Sequence, residues 1–130
     1  MEWPELFLVF MVCHLTGDFL LQTDWQVRNK PCGLGRDPVA RRALLSHVFT
    51  YTLTFVPALV WVGAEVEAWA AFACAVAIAG PHLIVDDRRL LAVYVRRVKG
   101  VPEPAPGGLL IAVDQSVHVI MLWAVAILTV

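Results

Sequence analysis

Four segments of about 20 mostly apolar residues, the length that crosses a bilayer as a helix, constrain the fold of this sequence most strongly. They cover residues 4–22, 38–62, 67–86 and 107–130. Of the 130 residues, 59% are hydrophobic and 16% are charged, whereas soluble domains carry about a quarter charged residues. We therefore predict an all-α fold, in which a single transmembrane domain (1–130) forms an antiparallel, up-down bundle of four transmembrane helices.

The basic residues predict how this bundle is oriented. All ten lysines and arginines lie in residues 23–37, in residues 87–106 or in the first turns of the second segment. The charged residues on the opposite side are all acidic; they are Glu2, Glu5, Glu65 and Glu67. By the positive-inside rule, loops 23–37 and 87–106 are cytoplasmic and both termini lie on the non-cytoplasmic side. We expect a multi-pass protein of a bacterial inner (plasma) membrane.

The segment Arg88–Lys99 has an amphipathic helical pattern. Leu91 and Val95 recur at helical spacing, and Arg96 and Lys99 fall on the opposite side. Two interpretations are open: a helix lying on anionic lipid at the membrane surface, or an extension of the third span into the cytoplasm. The expected partners are membrane lipids, with a homodimer as a further possibility. The net charge of −1 gives no reason to expect nucleic acid.

Polar residues within the four segments collect at one level, in the halves next to the basic loops. They are His14, Asp18, Gln22, His47, His82, Asp86, Asp114, Gln115 and His118. Three His–Asp pairs have members four residues apart, which places both side chains on one helix face. Because ionisable residues inside a membrane usually face the bundle interior, we expect one enclosed cluster near the cytoplasmic face.

Imidazole and carboxylate groups together suit divalent metal ions, and helical bundles build metal sites from inward-facing residues. The predicted ligands are His14, Asp18, His47, His82, Asp86, Asp114 and His118. The expected cofactor is zinc, or else manganese or iron. Seven groups exceed one tetrahedral shell, so the surplus could bind a second ion or orient the ligands. Predicted catalytic residues are the three aspartates, Asp18, Asp86 and Asp114, together with Gln22 and Gln115.

The functional hypothesis is a divalent-metal site with metal-dependent hydrolysis of a lipid or amphiphile as its activity. One alternative is a small dimeric transporter, or a proton- or metal-coupled carrier, that uses the same cluster. Another is a membrane adaptor or exclusion protein. A purely structural role for the cluster is disfavoured because intramembrane hydrogen bonds average only about 0.6 kcal/mol. Asp24 and Lys30, at the cytoplasmic edge, are interpreted as solvated loop charges rather than as residues that gate the site.

The motifs HLTGDFLLQTDW, LLSHVFTYTL, HLIVDD and DQSVH occur in this order along the chain. In this respect the sequence resembles a family of small bacterial and phage membrane proteins known as domain of unknown function 3307. The residues that carry the resemblance are His14, Gly17, Asp18, Phe19, Gln22, His47, Tyr51, His82, Asp86, Asp114, Gln115 and His118. The resemblance supports the site but implies no reaction.

Overall fold

The computed structural model describes all residues from Met1 to Val130 and is all-α, with 79% of the residues in helices and no strands. Helix α1 (Trp3–Leu15) continues directly into a π-helical segment (Thr16–Leu21). The remaining helices are α2 (Asp24–Asn29), α3 (Pro38–Thr54), α4 (Val56–Glu65), α5 (Ala68–Asp86), α6 (Arg89–Arg97) and α7 (Gly107–Thr129). The predicted all-α class is confirmed.

Three helical stretches are long and apolar enough to cross a membrane: Trp3–Leu21, Ala68–Asp86 and Gly107–Thr129. Helices α3 and α4 together would make a fourth span, although they are bent by 49° relative to each other. Large apolar side chains point outward along these stretches, and Leu8, Phe72 and Leu128 are 65%, 72% and 86% exposed. Lipid solvates such a surface better than water does, so these features indicate a membrane-associated protein.

The segment 38–62, predicted as one span, consists of two helices. Helix α3 ends at Thr54 and α4 begins at Val56. Pro57 lies in the first turn of α4. A proline has no N–H to bond to the carbonyl four residues earlier, and its ring clashes with that carbonyl, so Pro57 ends the preceding helix. At its other end, α3 begins with Pro38, and the Asp37 carboxylate caps it by accepting the Val39 N–H at 2.8 Å.

Packing divides the molecule into an apolar half and a polar half. The apolar core is built from the N-terminal parts of α1 and α5, the C-terminal parts of α3 and α7, and α4. Its largest members are Leu6, Phe10, Tyr51, Phe55, Ile78 and Leu122. The opposite halves of the same helices carry the histidines and aspartates. The core therefore closes one end of the polar region.

Helix α6 is separate from α5. Arg88 adopts a left-handed conformation, with φ of 64°, that ends α5 and starts α6 in a new direction. Leu91 and Val95 of α6 are buried against Val113 of α7. The interpretation of Arg88–Lys99 as an extension of the third span is therefore wrong.

Candidate metal centre

The four histidines predicted from the sequence lie together in the polar half of the molecule. His14, His47, His82 and His118 come from α1, α3, α5 and α7, and each is at most 1% exposed. The carboxyl groups enter the same region: Asp18 and Asp86 are buried, and Asp114 is half-buried. Sequence spacing thus identified a set of ionisable groups that the fold brings together.

His47 and His82 form the centre of this cluster. Their Nε2 atoms are 3.1 Å apart. Asp86 Oδ2 lies 2.9 Å from Nε2 of His47 and 3.3 Å from Nε2 of His82. On the same two atoms, Asp18 Oδ1 lies at 3.2 Å and 3.7 Å. Ligand atoms held at about 2.0–2.1 Å around a tetrahedral ion are separated by about 3.3 Å, so the spacing of these atoms is close to that of metal ligands.

Two overlapping groups of three side chains could hold an ion. One comprises Asp18, His47 and His82, and the other comprises His82, Asp86 and His118. In each group the ligand atoms lie within 4.8 Å of one another. His82 belongs to both groups. Because one ring nitrogen binds one ion, the two groups describe alternative positions for an ion.

Several buried polar atoms of the cluster have no hydrogen-bond partner. Asp86 Oδ1 and His118 Nε2 face each other at 4.0 Å, and neither forms a hydrogen bond. Asp18 Oδ1 lies close to His47 but is not oriented to accept its proton. An unsatisfied buried polar group costs about 1–3 kcal/mol. Atoms of this kind, all with lone pairs available, fit a bound cation.

His14 differs from the other histidines because both of its ring nitrogens contact protein atoms. Nδ1 lies 3.0 Å from the Tyr51 hydroxyl, and Nε2 lies 2.9 Å from Oε1 of Gln115. The Gln115 amide in turn donates to Asp18 Oδ2 at 3.2 Å. With this amide orientation, His14 donates from Nε2 and accepts the Tyr51 proton at Nδ1. His14 therefore orients Asp18 through Gln115 and leaves no ring nitrogen free for an ion in this arrangement.

His118 also has one committed nitrogen. Its Nδ1 donates to the backbone carbonyl of Asp114 at 2.9 Å, which directs Nε2 towards Asp86. The Asp114 carboxylate lies farther away, with Oδ1 at 3.9 Å from Nδ1 of His118. Asp114 and His118 are therefore one helical turn apart, as predicted. His118, however, forms its hydrogen bond with the backbone carbonyl of Asp114 and not with the carboxylate.

A partly open cavity of about 310 Å³ adjoins the cluster. Its polar lining includes Asp18, Gln22, Lys30, Arg88, Asp114 and Gln115. Phe19 and Ile111 add apolar surface to the lining, and both side chains are more than half exposed. Of the four predicted polar residues outside the two candidate ligand groups, Gln22, Asp114 and Gln115 border this cavity and His14 does not. A molecule in the cavity would therefore touch both polar groups and apolar surface.

Lys30 is the main residue that sequence reasoning missed. Its side chain is buried, and Nζ lies 2.7 Å from Asp86 Oδ2. The interpretation of Lys30 as a solvated loop charge is therefore wrong, whereas Asp24 is exposed and pairs with Arg28 at 2.9 Å. No periodic pattern marks a single lysine in a polar loop. Only the folded position of the loop identifies it.

Asp87 holds the loop that carries Lys30. Its carbonyl accepts the Cys32 N–H at 2.9 Å, and its carboxylate accepts the Leu34 N–H at 2.7 Å. Arg89 donates to the same carboxylate at 2.6 Å. Burial alone would raise the pKa of Asp87, but the hydrogen bonds from Arg89 and Leu34 lower it below its ordinary value. Consecutive aspartates thus face opposite ways, Asp86 into the cluster and Asp87 towards the loop.

Helices of membrane-spanning length around a buried His/Asp cluster define a helical, membrane-associated protein with a site that could hold a metal ion. The chain belongs to the family described as "Protein of unknown function (DUF3307)", which matches residues 6–130. This match confirms the family that the sequence motifs resemble. No curated protein and no solved structure matches the chain.

Proposed function

We propose that the protein is a membrane-embedded, metal-dependent hydrolase. Its divalent ion would bind at His47 and His82 together with one or both of the carboxylates Asp18 and Asp86. The observation that carries this proposal is the close approach of the two Nε2 atoms, 3.1 Å apart, with carboxylate oxygens beside both. Zinc suits such a set, as do manganese and iron.

Charge balance supports a bound cation. Three carboxylates, those of Asp18, Asp86 and Asp114, enter the cluster; Lys30 pairs with Asp86, and the Arg88 guanidinium lines the adjoining cavity. With neutral histidines, the cluster carries more negative than positive charge. Buried charges without compensation are strongly unfavourable. A divalent ion would bring the cluster close to neutrality.

The residues around the ion can be assigned complementary roles. When bound, a divalent ion supplies a water molecule that loses a proton near neutral pH. The carboxylate of Asp114, with Oδ1 unpaired at the cavity, is placed to accept a proton. The free amide nitrogen of Gln22 can donate to a substrate oxygen in the same cavity. Gln115 and His14 hold Asp18 in place.

Access from one side favours an enzyme over a carrier. The cavity meets the cluster at the end next to the basic loops. Beyond the cluster, Phe10, Phe55 and Leu122 fill the interior and are at most 2% exposed. A carrier needs a polar path to the other face as well. The combination of polar lining with the exposed side chains of Phe19 and Ile111 favours an amphiphile or lipid as the substrate.

The proposed setting is a bacterial inner membrane, crossed four times by an antiparallel bundle in which α3 and α4 form one bent span. The positive-inside rule supports cytoplasmic placement of loops 23–37 and 87–106. On the same side, Leu90 of α6 and Val98, which follows the helix, are exposed beside Arg96, Arg97 and Lys99. An anionic phospholipid surface complements this pattern. One chain supplies every residue of the cluster, so the proposed activity needs no dimer.

The test is the metal content and activity of detergent-purified protein. We expect about one ion per chain, because the two groups share His82, and loss of the ion in His47→Ala and in His82→Ala. Phe72→Ala, on the lipid-facing surface, is the control and should retain it. Absence of bound zinc, manganese and iron after each has been supplied would refute the metal site. Uptake into vesicles without turnover of ester or phosphodiester amphiphiles would favour the carrier.

A further inference from the structure

We propose that Lys30 is the resident cation of the cluster, and that a divalent ion must displace its ammonium group from Asp86 in order to bind. This inference rests on the proposed metal site. It assigns to Lys30 the control of ion affinity: the side chain occupies the site when no metal is bound and leaves it when the ion enters.

The position of the ammonium carries the inference. Lys30 Nζ lies 2.7 Å from Asp86 Oδ2, and both side chains are at most 4% exposed. The same oxygen lies 2.9 Å from Nε2 of His47 and 3.3 Å from Nε2 of His82. An ion bound to these three atoms would have to lie about 2 Å from each of them. The lysine therefore occupies the Asp86 oxygen that lies closest to both ring nitrogens, and Oδ1 is the free oxygen of the same carboxylate.

Electrostatics makes the two cations competitors. Water screens charges weakly inside a buried cluster, so an ammonium group and a divalent ion that share one carboxylate oxygen repel each other. With the ion absent, Lys30 compensates the charge of Asp86, which would otherwise be buried without a counter-ion. With the ion present, the same compensation comes from the metal and the ammonium is no longer needed there.

The side chain has a place to go while its backbone stays fixed. The Lys30 N–H donates to the Gln26 carbonyl at 2.9 Å, and the Cys32 N–H donates to the Asp87 carbonyl at 2.9 Å. Lys30 also lines the 310 Å³ cavity, whose wall includes the carboxylate of Asp114. Rotation of the flexible four-carbon stem would move the ammonium into this cavity and towards a second carboxylate.

The first experiment compares the metal affinity of Lys30→Met with that of the wild type, by titration of Zn²⁺ and Mn²⁺ against a chelating indicator. Methionine keeps most of the apolar stem and removes the charge. We expect affinity to rise by about ten-fold or more, because the competing cation is gone. Lys99→Met, which removes an exposed lysine, should leave the affinity unchanged. Equal or weaker binding by folded Lys30→Met would overturn the inference.

The second experiment uses the wild-type protein, whose two lysines are Lys30 and Lys99. Acetylation by a water-soluble amine reagent is followed by mass spectrometry, with and without saturating Zn²⁺. We expect Lys99 to react equally in both conditions, and Lys30 to react several-fold faster with the ion bound. Protection of Lys30 at saturating Zn²⁺ would overturn the displacement while leaving the metal site intact. If the wild type binds no ion at all, the proposed function itself has failed, and this inference with it.

Discussion

Gly17 packs directly against Tyr51. A Cβ atom at position 17 would stand 2.6 Å from Cδ2 and 3.3 Å from the Cα of Tyr51. The Thr54 hydroxyl, one turn beyond Tyr51, joins the same two elements, since it lies 2.9 Å from the Cys13 carbonyl. Gly17 belongs to the π-helical segment that turns Asp18 inward, and the Tyr51 hydroxyl contacts His14. The close approach therefore sets the positions of His14 in α1 and of Asp18 in the π-helical segment.

Gly17→Ala is expected to destabilise the protein by roughly 1–3 kcal/mol, the usual cost of overpacking a tight contact. Gly80→Ala is the control, because a Cβ there meets nothing within 4 Å. That control should be neutral or stabilising by about 0.5–1 kcal/mol, as glycine is less favourable than alanine within a helix. Thermal unfolding in detergent measures both variants. Equal stability of the two would show that Gly17 has no special packing role.

Gln115→Leu is expected to weaken metal binding while the fold persists. The variant keeps a similar volume but removes the link between His14 and Asp18. Loss of a group that orients a metal ligand lowers affinity by about 10–100-fold. Ser116→Ala, which changes an exposed neighbour bonded to its own helix, is the matched control. An unchanged dissociation constant in Gln115→Leu, measured by indicator titration, would argue against the orienting role.

The sequence predicted that the histidines and aspartates meet, but it did not predict Lys30, and it predicted only part of how these residues meet. The four-residue spacing of His82 and Asp86 indicates a contact along α5, and their atoms do lie 3.3 Å apart. The partner of Asp86 at 2.7 Å is Lys30, which is 56 positions away along the chain. Helix periodicity carries no information on such a pair, because it depends on where a loop docks.

The backbone could also be predicted from the sequence only in part. Pro57 is visible in the sequence and accounts for the break between α3 and α4, so the bend could have been predicted from the chemistry of proline. The π-helical segment could not. Gly17 signals a possible close contact, but its partner, the ring of Tyr51, comes from another helix, and no local pattern marks the change from α to π geometry.

Because the Asp87 carboxylate holds the loop that carries Lys30, we expect the stability of the protein to depend on pH through Asp87. Its pKa is lower in the folded protein than its ordinary value, because Arg89 and Leu34 donate to the carboxylate. Such a group stabilises the fold above its unfolded pKa of about 3.9, and the contribution is lost as the pH falls through the folded value. Asp87→Asn should therefore lower the unfolding temperature near neutral pH and flatten its fall in acid.

The measurement for Asp87 is the unfolding temperature as a function of pH, with Asp24→Asn as the control. Asp24 is an exposed carboxylate whose pair with Arg28 is solvated, and exposed ion pairs contribute little to stability. The Asp24 variant should follow the wild-type curve. If Asp87→Asn also followed that curve, the carboxylate would not be what holds Leu34 and the loop.

From the exposed basic residues of helix α6, we expect anionic lipid to stabilise the protein. Arg96 and Arg97 are exposed, whereas Leu91 and Val95 on the other face are buried. A basic residue near an anionic membrane surface contributes about 1 kcal/mol, so Arg96→Gln/Arg97→Gln should reduce the stabilisation gained on transfer from neutral to anionic phospholipid vesicles by about 2 kcal/mol. Raising the salt concentration should reduce the wild-type gain in the same way, because ions screen exposed charges.

The matched control for α6 removes the same amount of charge from the other basic loop, in Arg28→Gln/Arg36→Gln. Both arginines are exposed; Arg36 lies in the loop, and Arg28 lies in the short helix α2, where it pairs with Asp24. If α6 itself lies on the lipid, the α6 double variant should lose more of the stabilisation that anionic vesicles provide than the control does. Equal losses would mean that anionic lipid acts through the overall positive charge of the loops, and would assign no lipid-binding role to α6.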